Sequence, residues 1–310
     1  MLSFIIPTFN EEKNILSTLT EIKKHVPNEI PYEIIVIDHG SADNTVSLAN
    51  QLSDEILSQS GGTVAGLRNL GVKHSSGDIL VFIDADVRLT SEWALNITQV
   101  IQQLDSNNKI VTGSWVSVPD NSSWIEKSWF QPLQKISNTH INSGHMIMSR
   151  ELFNSLNGFN PILETGEDYD ISMRAKELGA VIIDNHKLKV IHDGYPKTLP
   201  DFIKREYWHG KGDAISIFAV LKSKVAIIAS AILASHISLI SSLLLHETAL
   251  TVISLTVITV LCLFSSVKKY SNESAQIILN NTFLYYFYFL ARSASLSVLL
   301  KKQHFKKRER

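Results

Sequence analysis

Residues 79–86 read ILVFIDAD, an uninterrupted apolar run that ends in two aspartates. Short runs of the same kind occur at Leu2–Ile6 and Glu33–Ile37, and apolar residues at helical spacing fill residues 11–25 and 43–52 between the runs. Continuous β-branched runs bounded by turn residues are typical of strands buried on both faces of a sheet. Their alternation with helices predicts an α/β fold, a mostly parallel sheet flanked by helices.

Polar side chains follow each of the three predicted strands. In open parallel sheets, ligands bind at the carboxyl ends of the strands, so we expect these groups to meet at one edge, as a nucleotide site requires. Each loop alone has a simpler interpretation, a helix cap for the first and a plain turn for the second. The polar side chains are Thr8, Asn10, Glu11, Asp38, Asp84 and Asp86, and Pro7 opens the first of these loops.

Asp84 and Asp86 are two positions apart, so strand periodicity directs both carboxylates to the same side. Two neighbouring carboxylates do not both ionise readily without a cation nearby. Mg²⁺ and Mn²⁺ are held by one or two carboxylates together with substrate phosphates. The pair therefore predicts a divalent-metal and diphosphate site, with an exposed turn at the end of the strand as the alternative.

The composition narrows the class of protein. With 29 Lys and Arg against 30 Asp and Glu, the chain is almost neutral, and its charge gives no reason to expect a nucleic-acid partner. The single cysteine, Cys262, excludes an intramolecular disulfide framework and a cysteine-based zinc cluster.

Residues 225–267 carry one formal charge, Glu247, and contain neither glycine nor proline. A bilayer core about 30 Å thick needs about 20 apolar residues per helix, so this segment predicts two membrane spans, near 225–245 and 249–267. A buried helical hairpin of a soluble protein is the alternative. Lysines flank the pair and are absent from the hinge between the spans, at His246 and Glu247. The positive-inside rule therefore predicts that both flanks, and the first two-thirds of the chain before them, face the cytosol. These lysines are Lys222, Lys224, Lys268 and Lys269.

A third apolar stretch, residues 275–300, is interrupted by Asn280, Asn281 and Arg292. An arginine at the bilayer centre costs several kcal/mol. We therefore expect a helix that lies in the inner interface, followed by a basic tail, residues 301–310, in contact with anionic lipid headgroups.

Four segments together resemble glycosyltransferases of family two. The resemblance implies a GT-A nucleotide-diphospho-sugar transferase fold for residues 1–215, followed by a membrane region at 216–310. It extends from residue 2 to about residue 195 in the order and spacing of the family. The segments are FIIPTFNEE (4–12), IIVIDHGSADNT (34–45), GLRNLGVKHSSGDILVFIDAD (66–86) and GEDYDISMRAKELGA (166–180).

The resemblance also implies roles for individual residues. The first two loops would cradle the nucleoside, the Arg-Asn pair would lie close to the donor, and the Asp-x-Asp would bind the diphosphate and an Mg²⁺ or Mn²⁺ ion. Acceptor-side or diphosphate contacts would come from a carboxylate and two histidines, with a buried structural role as the alternative for each histidine. The nucleotide-binding residues are Pro7, Thr8, Asn10, Glu11, Asp38, Arg68 and Asp84; the metal ligands are Asp84 and Asp86; the base is Asp168; the remaining three are Glu167, His145 and His192.

The predicted base, Asp168, lies where three carboxylates open a helix that continues to Gly179. A sugar hydroxyl is a poor nucleophile until a positioned carboxylate takes its proton. Acids in a first helical turn are also favoured by the helix dipole, which is the alternative reason for their presence. Asp170 is expected to pair with Arg174 at i+4.

These features predict an inverting, metal-dependent glycosyltransferase that moves a sugar from a nucleotide-diphospho-sugar to a hydroxyl of a lipid-linked saccharide or glycolipid. In the first alternative, the acceptor is a polyprenyl phosphate, which is already ionised and needs no base. The others are a haloacid-dehalogenase-like phosphohydrolase, which also uses Asp-x-Asp but usually on its first strand, and a non-catalytic sugar-nucleotide-binding membrane protein.

Overall fold

The computed structural model divides the chain into two compact units. The first combines Met1–Asp120 with Gln134–Tyr195, and the second combines Asn121–Leu133 with Pro196–Arg310. The expected domain boundary at residue 215 and the basic tail lie outside the residues that the structure describes. The described residues are 1–113, 116–135, 139–213 and 217–297.

Strands and helices alternate along the first unit, as the sequence pattern predicts. Its strands are β1 (Leu2–Thr8), β2 (Tyr32–Asp38), β3 (Glu55–Ser58), β4 (Ile79–Ile83), β5 (Val87–Leu89), β6 (Ile110–Gly113), β7 (Val116–Ser117), β8 (His145–Ser149), β9 (Val181–Asp184) and β10 (Val190–His192). Its helices are α1 (Ile15–His25), α2 (Thr45–Ala49), α3 (Val64–His74), α4 (Ser91–Ser106), α5 (Arg150–Ser155) and α6 (Glu167–Glu177).

A seven-stranded sheet with the order β3-β2-β1-β4-β8-β6-β9 forms the centre of this unit. The pairs β1–β2, β1–β4, β2–β3 and β6–β9 are parallel, whereas β8 runs antiparallel to both of its neighbours. A smaller sheet has the order β5-β10-β7. The predicted α/β fold with a mostly parallel sheet is confirmed.

The position of β4 in the sheet explains why its sequence is apolar without interruption. Leu80 and Phe82 contribute to a hydrophobic core on one face of the sheet, whereas Ile79, Val81 and Ile83 contribute to the core on the other face. All five side chains are buried, so the predicted burial on both faces is confirmed. The two cores fix the position of the strand end, where the aspartates begin.

The structure differs from the sequence-based expectation at several element boundaries. Strand β1 continues through Pro7 and Thr8, and α1 begins at Ile15 instead of Glu11 because residues 9–14 form a loop. Strand β3 was not expected, since only two of its four residues, Ile56 and Leu57, are apolar. The loops after β1 and β2 therefore begin two residues and one residue later than the sequence indicates, whereas the loop after β4 begins at Asp84 as expected.

The second unit is helical in the residues that the structure describes, and a π-helical turn, Glu126–Phe130, belongs to it. A 3₁₀ turn, Gln131–Lys135, follows the π-helical turn. The helices are α7 (Leu199–Asp213), α8 (Ile217–Lys222), α9 (Lys224–Leu244), α10 (Thr248–Tyr270) and α11 (Ala275–Ser295).

Helices α9 and α10 coincide within a few residues with the two predicted spans. Their mean hydropathies are 2.0 and 2.3, and 17% and 22% of their most apolar segments are buried. A hairpin in the core of a soluble protein would be mostly buried, and soluble monomers rarely expose apolar surfaces of this extent. The two helices therefore suggest membrane association. His246 adopts a left-handed conformation, with φ of 55°, at the predicted hinge.

Helix α11 uses its polar residues for contacts inside the second unit. Asn280 Nδ2 donates to Ser128 Oγ at 2.9 Å, Asn281 Nδ2 donates to the Ser128 carbonyl oxygen at 2.7 Å, and Arg292 Nη2 donates to Glu206 Oε2 at 2.9 Å. The polar residues that interrupt the third apolar stretch thus form hydrogen bonds within the protein. On the sequence alone, they are instead explained by placing the helix in the membrane interface.

Candidate active site

The Asp-x-Asp segment lies in a turn directly after β4. The N–H of Val87 donates to the carbonyl oxygen of Asp84 at 3.1 Å, and the N–H of Asp84 donates to the carbonyl oxygen of Gly144 at 3.2 Å. The prediction that strand periodicity sets the direction of both carboxylates is therefore wrong, because the chain turns before Asp86.

Asp86 is mostly buried and lies beside β10. Its Oδ2 is 3.4 Å from Nε2 of His192, and a Cβ added at Gly194 would come within 1.8 Å of the same oxygen. Burial, followed by the negative charges of Asp84 and Asp193, raises the pKa of the Asp86 carboxyl to about 7. A nearby positive charge would therefore stabilise ionised Asp86.

The family resemblance implies an Mg²⁺ or Mn²⁺ ion at Asp84 and Asp86, and the donor set fits it. Asp84 is partly open to solvent, with 34% of its side chain exposed, and Asp86 carries an incompletely compensated charge. The described residues contain no group of three or more His, Cys, Asp or Glu side chains arranged around one metal position. Two carboxylates are enough where substrate phosphates and water complete the coordination shell.

Arg68 connects the Asp-x-Asp turn to the helix that carries the predicted base. Its Nη2 donates to Asp84 Oδ1 at 2.7 Å, and its Nη1 donates to Glu167 Oε1 at 2.8 Å. Glu167 Oε1 also accepts from Ser143 Oγ at 3.0 Å. Glu167 is buried and engaged in the protein, which does not fit a contact with the acceptor. The terminal nitrogens of Arg68 likewise face protein carboxylates.

Asp168 is half-buried in the first turn of α6, after Gly166, whose φ of 82° is left-handed. Its Oδ1 accepts from the N–H of Tyr169 at 2.8 Å. Burial and then the charge of Glu167 raise the pKa of the Asp168 carboxyl, against opposing effects of His140 and other groups. A carboxylate with a raised pKa accepts a proton more readily.

The neighbouring acid, Asp170, has a structural partner. Its Oδ2 lies 2.6 Å from Nη2 of Arg174, and the Arg174 guanidinium also donates to the carbonyl oxygens of Leu156 and Gly158. The predicted i+4 ion pair is confirmed. Of the two aspartates in this helical turn, Asp168 is thus the one without an ion-pairing arginine in the described contacts.

Asn10 joins the loops that follow β1 and β2. Its N–H donates to Ser41 Oγ at 2.8 Å, and its Oδ1 accepts from the N–H of Ala42 at 2.9 Å. Its φ is 56°, in the left-handed region, which asparagine tolerates better than most residues. The alternative of a helix cap is wrong for Asn10, because Asn14 precedes the first residue of α1.

Thr8 and Asp38 are paired on adjacent parallel strands. Asp38 Oδ2 accepts from the N–H groups of Gly40 and Ser41 at 2.9 and 3.0 Å, so the turn accounts for one of its oxygens. Asp38 Oδ1 and Thr8 Oγ1 are buried without a hydrogen-bond partner. Because an unsatisfied buried polar atom is costly, these two atoms favour a ligand that supplies hydrogen bonds.

Glu11 links this loop electrostatically to the Asp-x-Asp turn. Burial raises the pKa of its carboxyl, a hydrogen bond from Asn14 opposes the rise, and the charges of Asp86 and Asp84 add to it. The side chain of Pro7 is buried at the end of β1. The loop predicted to bind the nucleoside and the turn predicted to bind the diphosphate therefore lie within electrostatic reach of one another.

His145 is completely buried at the start of β8. Its Nε2 accepts a hydrogen bond from Trp93 Nε1 at 2.9 Å, and burial lowers the pKa of its imidazole to about 3. The structure therefore favours the structural alternative for His145, since a fully enclosed side chain does not contact a sugar. His192, in contrast, lies beside Asp86.

Sequence reasoning did not single out Gly194 or the Arg88–Asp193 ion pair as parts of the site, and it gave Ser143 no role of its own. Ser143 supports Glu167, and the absence of a side chain at Gly194 makes room for the Asp86 carboxylate. Arg88 on β5 binds both carboxylate oxygens of Asp193. A glycine two residues after a strand is a usable signal for close approach of other groups to the backbone, whereas the pairing of Arg88 with Asp193 leaves no local pattern in the sequence.

A mostly parallel sheet whose strand ends gather these loops, with an Asp-x-Asp turn after β4, is the architecture of GT-A nucleotide-sugar transferases. Residues 3–156, which are 154 of the 310 positions, match the family model described as glycosyl transferase family 2. The chain therefore carries a glycosyl transferase family 2 domain over this range and is a glycosyltransferase. The matched range contains both aspartates and ends before Asp168.

Relatives and a solved structure agree with this assignment. The chain is 26% identical over 225 residues to the glycosyltransferase AglE of Haloferax volcanii, covering 68% of this chain and 72% of AglE. It is 32% identical over 119 residues to the dolichol-phosphate mannosyltransferase of Pyrococcus furiosus, covering 36% of this chain and 32% of that protein. The mannosyltransferase PcManGT from Pyrobaculum calidifontis, solved with GDP-Man and Mn²⁺, shares the fold with a TM-score of 0.59 at 16% identity, over 95% of this chain and 86% of that one.

Proposed function

We propose that the protein is an inverting, metal-dependent glycosyltransferase that transfers a sugar from a nucleotide-diphospho-sugar to a hydroxyl of a lipid-linked saccharide or glycolipid. The observation that carries this proposal is the connection of Asp168 to the Asp-x-Asp turn through Glu167 and Arg68. A carboxyl with a raised pKa is thus connected through Arg68 to the turn with the carboxylates suited to a diphosphate site, which is the combination that hydroxyl glycosylation needs.

The donor is bound in two parts. The unpartnered oxygens of Thr8 and Asp38 would accept hydrogen bonds from the nucleoside, next to the loop that Asn10 holds in place. Asp84 and Asp86 would hold the divalent cation that binds the diphosphate. When bound, the metal offsets the negative charge that grows on the departing phosphates.

In the chemical step, Asp168 accepts the proton of the acceptor hydroxyl while the hydroxyl oxygen attacks the anomeric carbon. The new carbon–oxygen bond forms on the face opposite the diphosphate, and the bond to the diphosphate oxygen breaks with its electron pair. The configuration at the anomeric carbon is therefore inverted. The raised pKa of Asp168 favours proton acceptance.

The choice of acceptor rests on the second unit. Helices α9 and α10 expose apolar surfaces long enough to cross a bilayer, and we propose that they span it with their lysine-bearing ends in the cytosol. An enzyme held at a membrane meets amphipathic acceptors in the bilayer surface. The basic tail, residues 301–310, would add contact with anionic headgroups.

A second candidate acceptor is a polyprenyl phosphate. The similarity to a protein named dolichol-phosphate mannosyltransferase favours it. Such an acceptor is already ionised, so transfer would need no general base, and the raised pKa of Asp168 would have no role in the reaction.

Replacing Asp168 separates the two acceptors. With a hydroxyl acceptor, Asp168→Asn is expected to lower the transfer rate at least about 100-fold, because proton transfer to a positioned side chain contributes that much. Asp170→Asn is the matched control, since Asp170 pairs with Arg174 on the same helix. Both variants are assayed with UDP-, GDP- and dTDP-sugars, Mg²⁺ or Mn²⁺, and membrane extracts. Full activity of Asp168→Asn would exclude the hydroxyl acceptor and support the phosphate.

A further inference from the structure

Arg68 is placed where three separate parts of the first unit meet. It lies on α3, while its two carboxylate partners, Asp84 and Glu167, are 16 and 99 residues away along the chain. Each carboxylate accepts from a different terminal nitrogen of the same guanidinium. A guanidinium is planar and its donors have fixed directions, so a bridge of this kind fixes the two carboxylates relative to each other.

The bridge is shielded from water and supported from the side. Arg68 is 2% exposed, and its guanidinium carbon lies 5.7 Å from the ring centre of Phe159. Asn69, the next residue of α3, donates from Nδ2 to the carbonyl oxygen of Phe159 at 2.8 Å and accepts at Oδ1 from the Phe159 N–H at 2.9 Å. Both residues of the pair therefore tie α3 to the same loop, which restricts the movement of the guanidinium.

The two ends of the bridge have different chemical neighbours. Asp84 belongs to the turn that also contains Asp86, and Glu167 directly precedes Asp168. Burial and the charge of Glu167 raise the pKa of Asp168, and His140, the Tyr169 N–H and the positive charge of Arg68 oppose this increase. The Arg68 guanidinium therefore holds the Asp84 carboxylate in position and, at the other end, partly offsets the rise in the pKa of Asp168.

From this geometry we propose that Arg68 is a positioning residue that holds the Asp84–Asp86 turn and the first turn of α6 in one fixed arrangement, so that the leaving diphosphate and the base are aligned with the same sugar. The proposal rests on the proposed function and deepens it. Arg68 acts through Asp84 and Glu167, and direct contact with the nucleotide is not needed.

Arg68→Lys is the central test. A lysine keeps the positive charge, but its ammonium cannot reproduce contacts with two separate carboxylates in the fixed plane of a guanidinium. We expect kcat to fall about 100-fold, as for a small misplacement of reacting groups, while the KM for the nucleotide-sugar changes far less. If Arg68 instead bound the nucleotide directly, the KM for the donor would rise most, and this result would overturn the proposal.

Arg150→Lys is the matched control. Arg150 on α5 donates to the carbonyl oxygens of Gly77 and Val72 and to Ser75 Oγ, so it is a partly buried arginine that binds neutral groups. Its replacement is expected to lower the unfolding temperature without a large change in kcat. An equal loss of kcat in Arg68→Lys and Arg150→Lys would show that the effect is structural.

The dependence of kcat on pH distinguishes an electrostatic role of Arg68 from a loss of stability, because a loss of stability alone does not shift the acid limb of the profile. In Arg68→Gln the acid limb of the kcat profile is expected to shift to higher pH, because the cation that favours ionised Asp168 is missing. In Arg150→Lys the limb is expected to stay in place. An unshifted limb in Arg68→Gln would contradict the electrostatic part of the proposal.

A double-mutant cycle on the metal-free protein tests the bridge without any assay of activity. Arg68→Gln is expected to lower the unfolding temperature, because Glu167 is left buried without its partner. Adding Glu167→Gln should cost less in this background than in the unsubstituted protein, which measures the coupling. Additive effects would overturn the bridge. Failure of the proposed function would appear differently, as no sugar transfer by the unsubstituted protein with any donor.

Discussion

Each unit of the protein contains a buried cluster of arginine and acidic side chains, and the two clusters have opposite compositions. In the first unit, Arg68 lies between two carboxylates, those of Asp84 and Glu167. In the second unit, the carboxylate of Glu206 lies between two arginines, with Arg205 Nη1 at 2.6 Å from Oε1 and Arg292 Nη2 at 2.9 Å from Oε2. The first cluster therefore has an excess of negative charge and the second an excess of positive charge.

The difference shows how one kind of interaction serves two purposes. The excess negative charge of the first cluster borders Asp86, where a divalent cation would offset it, and Asp84 remains partly exposed to the ligand side. Glu206 is 2% exposed, so the second cluster is closed around its anion and connects α7 to α11. In our proposal the first cluster binds a ligand, whereas the second connects two helices.

The largest effect on stability is expected in the second cluster, formed by Glu206, Arg205 and Arg292 and called the closed cluster below. Glu206→Gln removes the carboxylate charge that Arg205 and Arg292 share, and removing one member of a buried ion pair costs about 3–5 kcal/mol. The measurement is thermal or denaturant unfolding of the purified protein in detergent, followed by tryptophan fluorescence. Asp201→Asn, an exposed acid on the same helix, is the control and should cost less than about 1 kcal/mol. Equal effects of the two substitutions would remove the distinction between the clusters.

The next largest effect concerns activity at the first cluster, which we call the open cluster because Asp84 is partly exposed. Asp86→Ala is expected to lower sugar transfer about 10²–10³-fold, equivalent to about 3–4 kcal/mol, which is typical for loss of one preorganised electrostatic group. The fold should persist, because the substitution removes a poorly compensated buried carboxyl. Turnover is measured over a range of Mg²⁺ and Mn²⁺ concentrations, with Asp105→Asn on the exposed face of α4 as control. Unchanged turnover in Asp86→Ala would overturn the metal assignment.

Much of the open cluster could be located from sequence because its parts obey local rules. The apolar run of β4 predicts a strand buried on both faces, and that strand delivers Asp84 and Asp86 to the carboxyl edge of the sheet. The pairing of Asp170 with Arg174 follows from helical spacing alone. The predicted membrane helices likewise follow from length and the near absence of charge.

The connection between the two halves of the site could not be predicted in this way. Arg68 reaches Asp84 and Glu167 across 16 and 99 residues, and no period links such positions. The same holds for Trp129, which the sequence places within the expected catalytic domain but which belongs to the second unit. There its ring packs against Tyr285 at 4.8 Å and Phe202 at 5.0 Å between centroids. Both cases are tertiary contacts made by side chains from distant segments.

A smaller effect is expected where the backbone makes room for the open cluster. A Cβ at Gly194 would meet Asp86 Oδ2 at 1.8 Å, so Gly194→Ala must displace that carboxylate, at a cost of about 1–3 kcal/mol for overpacking. Activity is expected to fall more than stability, which comparison of kcat with the unfolding temperature would show. Gly66→Ala on α3 is the control, since its Cβ would lie 3.8 Å from Thr63 Oγ1 and alanine favours a helix by up to about 1 kcal/mol. Equal kinetics of the two variants would indicate that Asp86 has space to move.

The smallest effect is expected for the unfolding temperature of a variant at Asp168, where it distinguishes a functional role from a structural one. Burial and Glu167 raise the pKa of Asp168 above its ordinary value of 3.8, so the folded state disfavours the ionised form. The stabilising contribution of protonated Asp168 is complete below pH 3.8 and is lost as the pH rises through the raised pKa. Asp168→Asn, which cannot ionise, should therefore unfold at a slightly higher temperature than the unsubstituted protein at pH 8, and at the same temperature in acid.

Replacing the neighbouring acid, Asp170, by asparagine should instead lower the unfolding temperature at pH 8. Asp170 forms an ion pair with Arg174 at 2.6 Å, so Asp170→Asn is expected to lose up to about 1 kcal/mol at pH 8. Unfolding temperatures of both variants at pH 8 and in acid test this pair of predictions. If Asp168→Asn is destabilised like Asp170→Asn, then Asp168 is a structural acid of the helix start. If instead only Asp168→Asn gains stability, the protein keeps an unfavourable carboxylate at this position, as expected for a group retained for its chemistry.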